Sequence, residues 1–531
     1  MYINIFTERN LNIMKKILSV LMVFTILFSL AVPSFAEGYE ELPTIYVMGA
    51  HKNDIYNSKG ETIYPLQSDI GAIIKEALEP CLKELAKGFI TNDFTDYANE
   101  FNNAMAPIYE ELILDKNGDV SNGSYTRFQS SVDSCLGKTS GYETFDCRLW
   151  YDWRESPMKT ATELRDYIDD VLEATGKSKV QIVGRCYGAN VIATYLELYK
   201  DHAIENVSDI SYYSSSVLGI DFMSALFSGE IYLDAIAIEN LLDYYVEKEE
   251  IIDDVTVATL VTSLVEIIRQ AKLLGVTGEA LVKFVNNFKN DLFPLIIRSS
   301  YGSWLSYWAM VTPELYEKSR DFVFNTDELK AEYAGLIEKA DSFYYTVQLN
   351  TVNTMTELSE AGINFYIFAK YNFPEIPLYE GAQAQGDADT TVFRQSFGGT
   401  ASDYGKVLSE SYLNSVPESA KKYISPDKKI DASTCLFPDT TWFIKDLHHD
   451  FFSPLHKMSF EIMRYDWTVE NEKYPQYLTH TGKGDNIVDE LIPTVGTDDD
   501  YQKEEKSFFK NLIEFFSSLV KYLISLIKSK I

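Results

Sequence analysis

The chain has 531 residues, enough to bury the core of one large, elaborated domain or of two ordinary ones. Apolar residues make up 46% of the sequence and aromatic residues 14%, a composition that excludes an intrinsically disordered protein. The formal net charge of −32 disfavours nucleic acid and anionic membrane surfaces as partners for the whole protein.

Residues 1–36 are predicted to be a signal peptide. Two lysines precede an apolar run over residues 17–32, and small residues stand at positions 34 and 36. This order is typical of a secretory signal, and we expect cleavage after Ala36. A membrane anchor is disfavoured because the run is shorter than the roughly 20 residues that a span needs. The sequence therefore predicts a secreted, extracellular protein.

The five cysteines matter in a secreted protein because thiols tend to form disulfides in an oxidising exterior. Cys135 and Cys147 are close enough in sequence to close a short loop, and Cys81 and Cys435 also remain once Cys186 is set apart. The sequence alone leaves the pairing open.

Strand-like and helix-like segments alternate through the first 220 residues, a pattern that builds a parallel sheet. The predicted segments are, in chain order, a strand over 44–48, an amphipathic helix over 70–82, a strand over 145–153, a helix over 157–176, a strand over 179–183, a helix beginning at Gly188 and a strand over 208–214. Residues 37–219 and 346–484 are assigned to this core, with further strands over 363–368 and 441–444, the last one predicted.

Residues 220–345 show helical periodicity without strand alternation, and they are too many for a loop. We interpret this segment as a helical cap inserted into the sheet domain. Residues 115–119 superficially resemble a calcium-binding loop, but glycine at loop position six and glutamate at position twelve are both missing. No metal and no cofactor is predicted.

The end of the chain is predicted to be separate from the core. Residues 485–505 are polar and acidic and are interpreted as a linker. Residues 506–531 form a basic amphipathic pattern, predicted to be a C-terminal amphipathic helix. Such a helix can lie on a membrane surface, pack on its own domain or mediate self-association, and the sequence leaves these alternatives open.

The strongest chemical signal is the motif Gly184-x-Cys186-x-Gly188, which stands between a predicted strand and a predicted helix. Two glycines permit a tight strand-to-helix turn that holds a nucleophile strained and exposed. The helix that begins there directs free N–H groups towards a reacting carbonyl, and its dipole favours a thiolate. Cys186 is therefore the candidate nucleophile.

A histidine and an acid are expected downstream, because this kind of site orders its residues as nucleophile, acid and histidine. His449 is the first candidate for the base and His448 the alternative, since both follow the strand over 441–444. Asp389 is the first candidate for the acid, which would hold the histidine tautomer, and Asp387 is the alternative.

Together these pieces resemble the lecithin:cholesterol acyltransferase group of α/β-hydrolases, which is close to the bacterial lipases. The matching segments are Tyr151-Asp152-Trp153-Arg154 ahead of a helix, the 184–188 motif, the Gly-Asp-x-Asp-x-x-Val run over 386–392, and the histidine after the strand over 441–444. The resemblance spans about residues 43–460, with the helical middle unmatched in detail.

The resemblance implies an α/β-hydrolase fold with a mostly parallel sheet, and acyl-ester chemistry on a lipid or other acyl-ester substrate. On the family pattern the acid falls on Asp389, and the oxyanion is held by the backbone N–H groups of Tyr187 and of Ala50 in the Gly49-Ala50-His51 loop.

Two departures from the family pattern bear on function: Cys186 stands in place of the nucleophilic serine, and Arg185 stands where the family typically has histidine. Arg185 is expected to favour a thiolate by Coulomb attraction. The function predicted is a secreted, lipase-like acyl-ester hydrolase or acyltransferase that forms a thioester. The alternative is a catalytically inactive extracellular binding or scaffold protein of the same fold.

Overall fold

The computed structural model describes residues 42–65, 79–91, 93–126, 130–135, 147–231, 271, 274–276, 278–376, 378–482 and 491–496. All of them belong to one compact unit, Leu42–Ile531. The predicted signal peptide, most of the predicted helix over 70–82 and the predicted C-terminal helix lie outside the described residues.

The described strands form three sheets, of which the largest has eight strands. In chain order the strands are β1 (Thr44–Val47), β2 (Ile55–Tyr56), β3 (Thr62–Tyr64), β4 (Tyr125–Thr126), β5 (Arg148–Leu149), β6 (Val180–Arg185), β7 (Val207–Tyr213), β8 (Asn364–Tyr371), β9 (Thr400–Ala401), β10 (Ile430–Asp431), β11 (Thr441–Lys445), β12 (Tyr477–His480) and β13 (Leu491–Pro493).

The large sheet has the strand order β13-β12-β11-β8-β7-β6-β1-β5. Every neighbouring pair in it is parallel except β12 and β13, which are antiparallel. Because β6, β8 and β11 are parallel, their carboxyl ends meet at one edge of the sheet. In such sheets the reacting groups lie at that edge.

Both faces of the large sheet are covered, which explains why its central strands are apolar nearly throughout. Ile182 of β6 packs into the core on one face, whereas Val183 packs with Tyr213 and Trp442 on the other. This alternation follows from the two-residue period of a strand.

The described α-helices cover these faces and fill the segment between β7 and β8. They are α1 (Leu82–Thr91), α2 (Thr95–Tyr109), α3 (Pro157–Thr175), α4 (Tyr187–Leu198), α5 (Lys200–Asn206), α6 (Asp221–Ser228), α7 (Gly278–Arg298), α8 (Leu305–Ala309), α9 (Tyr316–Val323), α10 (Asp327–Glu332), α11 (Ala334–Phe343), α12 (Thr351–Glu360), α13 (Val392–Gln395), α14 (Glu410–Ser415) and α15 (Ser453–Tyr465).

Helix α3 begins and ends where its sequence signals predict. The Ser156 side chain caps the first turn by accepting a hydrogen bond from the N–H of Met158, and Pro157 occupies the first helical position. Gly176 ends the helix with a left-handed φ of 65°. The sequence prediction for this element is confirmed.

The structure confirms the predicted strands at β1, β6, β7, β8 and β11, and the mostly parallel sheet with flanking helices. The predicted strand over 145–153 is reduced to Arg148–Leu149 among the described residues. Within 220–345, α6 to α11 are helical as predicted, and residues 232–270 lie outside the described part of the chain. None of the described helices is long and apolar enough to cross a bilayer.

Two expectations about the end of the core were wrong. The strand over 441–444 is not the last, because β12 and β13 extend the sheet beyond β11. The predicted linker over 485–505 contains β13, in which Ile492 pairs with Thr479. The segment resembles a linker in composition because polar and acidic residues surround the short apolar run Leu491–Pro493.

Candidate active site

Cys186 occupies the turn between β6 and α4 in a backbone conformation that residues other than glycine rarely adopt. Its φ is 48° and its ψ is −123°. Its N–H donates to the carbonyl of Tyr213, and its own carbonyl accepts from the N–H of Ala189, so both neighbouring elements hold the turn. Cys186 is a free, half-buried thiol. Strained backbone of this kind clusters at functional sites, and the position matches a nucleophile elbow.

The two glycines of the motif are required by the close approach of other atoms. A Cβ on Gly188 would lie 2.0 Å from the carbonyl oxygen of Val47, which is backbone and cannot turn aside. A Cβ on Gly184 would lie 2.5 Å from Cδ1 of Ile192 and 3.2 Å from Cα of Ala189. The sequence interpretation of these glycines as steric requirements of the turn is therefore confirmed.

The predicted oxyanion groups lie on the two segments that meet at Cys186. Tyr187 is the first residue of α4, where backbone N–H groups have no partner within the helix. Ala50 follows Gly49, on which a Cβ would lie 3.1 Å from Cβ of Cys186 and 3.7 Å from its Sγ. The end of β1 and the start of α4 are thus both adjacent to the sulfur.

The loop after β1 is held by the residues of the Tyr-Asp-Trp-Arg motif. The Tyr151 hydroxyl donates to the carbonyl of Met48, and the indole N–H of Trp153 donates to the carbonyl of Asn53 at 3.1 Å. Arg154 is fully buried on the Asp152 carboxylate, with donor–acceptor distances of 2.9 and 2.6 Å. The motif therefore positions the loop that carries Ala50.

His449 and Asp387 form a buried pair on the loops that follow β11 and β8. The Nδ1 of His449 lies 2.9 Å from Oδ2 of Asp387, and the backbone N–H of His449 also donates to the Asp387 carbonyl at 2.9 Å. The other carboxylate oxygen of Asp387 accepts from the N–H groups of Asp389 and Thr390. The Nε2 of His449 is the ring nitrogen left for proton exchange.

The acid position differs from the expectation, which placed Asp389 there and Asp387 as the alternative. The Asp389 side chain is 42% exposed, and its Oδ2 lies 3.6 Å from Nε2 of His449, on the side of the ring opposite Asp387. Asp387 is thus the carboxylate that pairs with Nδ1 of His449. The residue between them, Ala388, has a φ of 89°, and this turn directs the two carboxylates to different sides of the imidazole.

His448, the alternative base, lies away from the pair. Its Nδ1 is 3.5 Å from Oδ2 of Asp450, and its ring packs edge-on against Phe373. Arg185, which the sequence suggested as a partner for the thiolate, contacts the loop after β11. Its guanidinium donates to the Asp450 carbonyl at 3.0 Å and stacks over the Phe452 ring at 3.3 Å.

Lys370 is a positioning residue that sequence reasoning missed. It stands in β8, is fully buried, and its ammonium donates to the carbonyls of His448, His449 and Phe451 at 3.1, 2.9 and 2.7 Å. Lysine is rarely buried without such partners. A charged residue inside an otherwise apolar strand was the available signal.

The charges at this site shift the pKa values of His449 and Asp387 in opposite directions. Burial lowers the pKa of His449, but the carboxylates of Asp387 and Asp389 and the sulfur of Cys186 outweigh burial and raise it well above 6.5. Burial raises the pKa of Asp387, but His449 and Lys370 hold it well below its ordinary value. Asp387 is therefore a carboxylate at neutral pH, and the imidazolium is favoured.

The cysteines outside this site are accounted for within the described residues. Cys135 and Cys147 form a disulfide with their Cα atoms 4.6 Å apart, and Cys81 and Cys435 are buried thiols outside that disulfide. In the described part of the chain, no group of three or more histidine, cysteine, aspartate or glutamate side chains is arranged to hold a metal ion.

Comparison with known proteins gives one family match. The family model described as lecithin:cholesterol acyltransferase matches residues 113–351, which include the elbow. No curated protein matches the chain. Among solved structures, the crystal structure of the Tle4-Tli4 complex is similar with a TM-score of 0.25 and 10% identity, over 62% of this chain and 75% of that chain. The parallel sheet with flanking helices is an α/β-hydrolase fold, and the chain resembles the lecithin:cholesterol acyltransferase family over the matched residues.

Proposed function

We propose that this protein is a secreted, lipase-like acyl-ester hydrolase or acyltransferase that works through a thioester on Cys186. The resemblance to the lecithin:cholesterol acyltransferase family supports acyl-ester hydrolysis or transfer as the general reaction class. The observation that carries the proposal is the strained elbow at Cys186. The sulfur of Cys186 interacts electrostatically with His449, which forms a buried imidazole–carboxylate pair with Asp387.

In the first half of the proposed reaction, the proton of the Cys186 thiol already resides on Nε2 of His449, whose raised pKa favours the imidazolium, and the sulfur of the thiolate bonds to the ester carbonyl carbon. The N–H groups of Tyr187 and Ala50 stabilise the oxyanion that forms. When the tetrahedral intermediate collapses, the C–O bond to the alcohol breaks, and His449 returns the proton to the departing oxygen. An acyl thioester remains.

In the second half, water or an acceptor alcohol gives its proton to His449 and attacks the thioester carbonyl. Collapse of this intermediate breaks the C–S bond, releases the acid or the new ester, and restores the thiol through the proton on His449. Asp387 keeps Nδ1 protonated and the ring oriented throughout. The acceptor decides between hydrolysis and transfer.

Secretion is part of the proposal and is supported by the signal-like N-terminus together with the Cys135–Cys147 disulfide, since disulfides persist in oxidising compartments. The predicted helix over 506–531 is offered as a membrane-surface or self-association element. Its sequence pattern is the support.

The proposal is tested by turnover of short and medium acyl p-nitrophenyl esters by the mature protein. We expect activity in the wild type, loss of at least about 10³-fold with Cys186→Ala, and an acyl adduct on Cys186 by mass spectrometry. The buried thiol variant Cys435→Ala is the matched control and should retain activity. Activity unchanged by Cys186→Ala refutes the thioester mechanism, and no turnover of any ester by the wild type favours the binding or scaffold alternative.

A further inference from the structure

Helix α8, in the segment between β7 and β8, contacts both segments that carry the proposed oxyanion groups. On one side, the side-chain amide of Asn190 in α4 donates to the carbonyl of Ala309 at 2.9 Å. On the other side, the Tyr307 hydroxyl is hydrogen-bonded to Nε2 of His51, the residue after Ala50, also at 2.9 Å. One short helix is therefore bonded to the helix that begins at the elbow and to the loop after β1.

Helix α8 is a firm support because it is buried and fixed at its start. All five of its residues are buried. The N–H of Leu305 donates to the carbonyl of Arg154 at 2.8 Å, and the indole N–H of Trp304 donates to the carbonyl of Leu112 at 2.9 Å. Close-packed interiors transmit a displacement instead of absorbing it. The Tyr307 hydroxyl is therefore presented to His51 from a defined position.

His51 has a conformation that depends on such contacts. Its φ is 65°, which turns the chain directly after Ala50. Its ring centroid lies 4.4 Å from that of Trp153, 5.5 Å from that of Tyr64 and 5.7 Å from that of Tyr307. Left-handed backbone at residues other than glycine persists where the surroundings determine it. The contacts of the His51 ring thus maintain the turn that directs the backbone of Ala50.

We propose that His51 and Tyr307 are positioning residues for the oxyanion groups, and that their hydrogen bond sets the distance between the N–H of Ala50 and the N–H of Tyr187. This rests on the proposed function, since it takes the two donors from there. Loss of the hydrogen bond should displace Ala50. The turn at Cys186 is held by other backbone contacts, so the thiolate should form as before.

Butyraldehyde and iodoacetamide separate these two effects. When butyraldehyde binds, the sulfur of Cys186 bonds to the carbonyl carbon, and the π pair of the C=O bond moves to the oxygen. That oxygen takes the proton held by His449 and lies at the oxyanion groups. Iodoacetamide instead alkylates the sulfur by displacing iodide, and no oxyanion forms. Protection of Cys186 from alkylation therefore measures the Kd of the aldehyde, and the alkylation rate without aldehyde reports the thiolate.

Tyr307→Phe removes only the hydroxyl. It should raise the Kd of butyraldehyde and lower kcat for p-nitrophenyl butyrate by about tenfold or more each, because a displaced oxyanion donor stabilises the transition state less. KM and the alkylation rate without aldehyde should change less than about threefold. His51→Asn, which tolerates a left-handed φ but has a shorter side chain, should act like Tyr307→Phe, and the longer amide of His51→Gln should restore most of the loss.

Tyr301→Phe is the matched control, because it removes another buried hydroxyl from a ring 5.8 Å from that of Tyr307. It should change neither the Kd nor kcat. The proposal is overturned if Tyr307→Phe leaves the aldehyde Kd within about threefold of wild type. It is equally overturned if Tyr307→Phe slows alkylation as much as it weakens aldehyde binding, or if Tyr301→Phe has the same effects.

Should Tyr307→Phe fail to fold by circular dichroism, His51→Asn and His51→Gln carry the comparison. Cys186→Ala tests the proposed function separately. Ester turnover that survives Cys186→Ala refutes the thioester mechanism, whereas an aldehyde Kd that is unchanged in Tyr307→Phe refutes only the positioning role of the His51–Tyr307 hydrogen bond.

Discussion

At the scale of single residues, the site depends on two aspartates that are two positions apart and lie on opposite sides of one imidazole. Asp387 is fully buried and uses both carboxylate oxygens, one for His449 and one for backbone N–H groups. Asp389 is partly exposed and lies on the side of Nε2. Substitution of Asp387 and substitution of Asp389 should therefore have different effects on kcat/KM.

Asp387→Asn should lower kcat/KM for a p-nitrophenyl ester by about 10³-fold or more, because an amide cannot hold the imidazole in the required tautomer. Asp389→Asn, the matched control in the same loop, should change kcat/KM by less than about tenfold because its carboxylate is solvated. A larger loss from Asp389→Asn than from Asp387→Asn would return the orienting role to Asp389.

The raised pKa of His449 makes folding stability depend on pH. The stabilisation is fully present below the unfolded-state pKa of about 6.5 and is lost as the pH rises towards the folded-state pKa. We expect the free energy of unfolding to fall more between pH 6 and pH 9 in the wild type than in His449→Gln, by up to about 1.4 kcal/mol per pH unit. Urea titrations at the two pH values measure it, and equal losses in both proteins would contradict the assignment.

At the scale of elements, the loop after β11 is positioned from the neighbouring strands more than by its own sequence. Lys370 from β8 binds three of its carbonyls, and Arg185 from the end of β6 binds the carbonyl of Asp450. Arg185 thus connects β6, the strand before Cys186, to the loop that carries His449. Lys370 connects β8, the strand before Asp387, to the same loop. Arg185 serves this connection where the sequence suggested a partner for the thiolate.

Lys370→Met should lower kcat by about 10²-fold with little change in KM, because misplacement of a catalytic group by about an ångström has that effect. In the Lys370→Met variant, alkylation of Cys186 by iodoacetamide at pH 6 should slow to the rate measured in the His449→Ala variant. A purely structural role of Lys370 would not slow this alkylation. Lys445→Met removes another buried lysine, which stands in the adjacent strand β11 and is paired with Asp427, and it should leave alkylation unchanged. If both variants behave alike, Lys370 has only a structural role.

Much of this arrangement was predictable from the sequence because it depends on local rules. The 184–188 motif and the helix between Pro157 and Gly176 are short-range patterns, and the structure places their elements accordingly. The choice of acid was not predictable, because Ala388 adopts a left-handed φ that no propensity indicates. Lys370 acts through contacts between distant segments, which spacing does not reveal.

At the scale of the whole molecule, the disulfide and the export signal make a joint prediction. Exported protein should begin at Glu37 and carry one disulfide, so that after denaturation without reductant only Cys81, Cys186 and Cys435 react with iodoacetamide. Intact mass measures both. Reaction of all five cysteines would contradict the pairing, and retention of residues 1–36 would contradict the signal.

The closing of the sheet by β13 has a consequence for anyone who shortens this chain. Composition suggests residue 484 as the end of the core. Strand β13 (Leu491–Pro493) nevertheless pairs antiparallel with the outer edge of β12 and hydrogen-bonds its backbone groups. A protein truncated at 484 would present the free N–H and C=O groups of β12 to solvent, where they can template pairing with another molecule. Aggregation of such a truncated form would then reflect an uncovered edge, with the catalytic groups still in place.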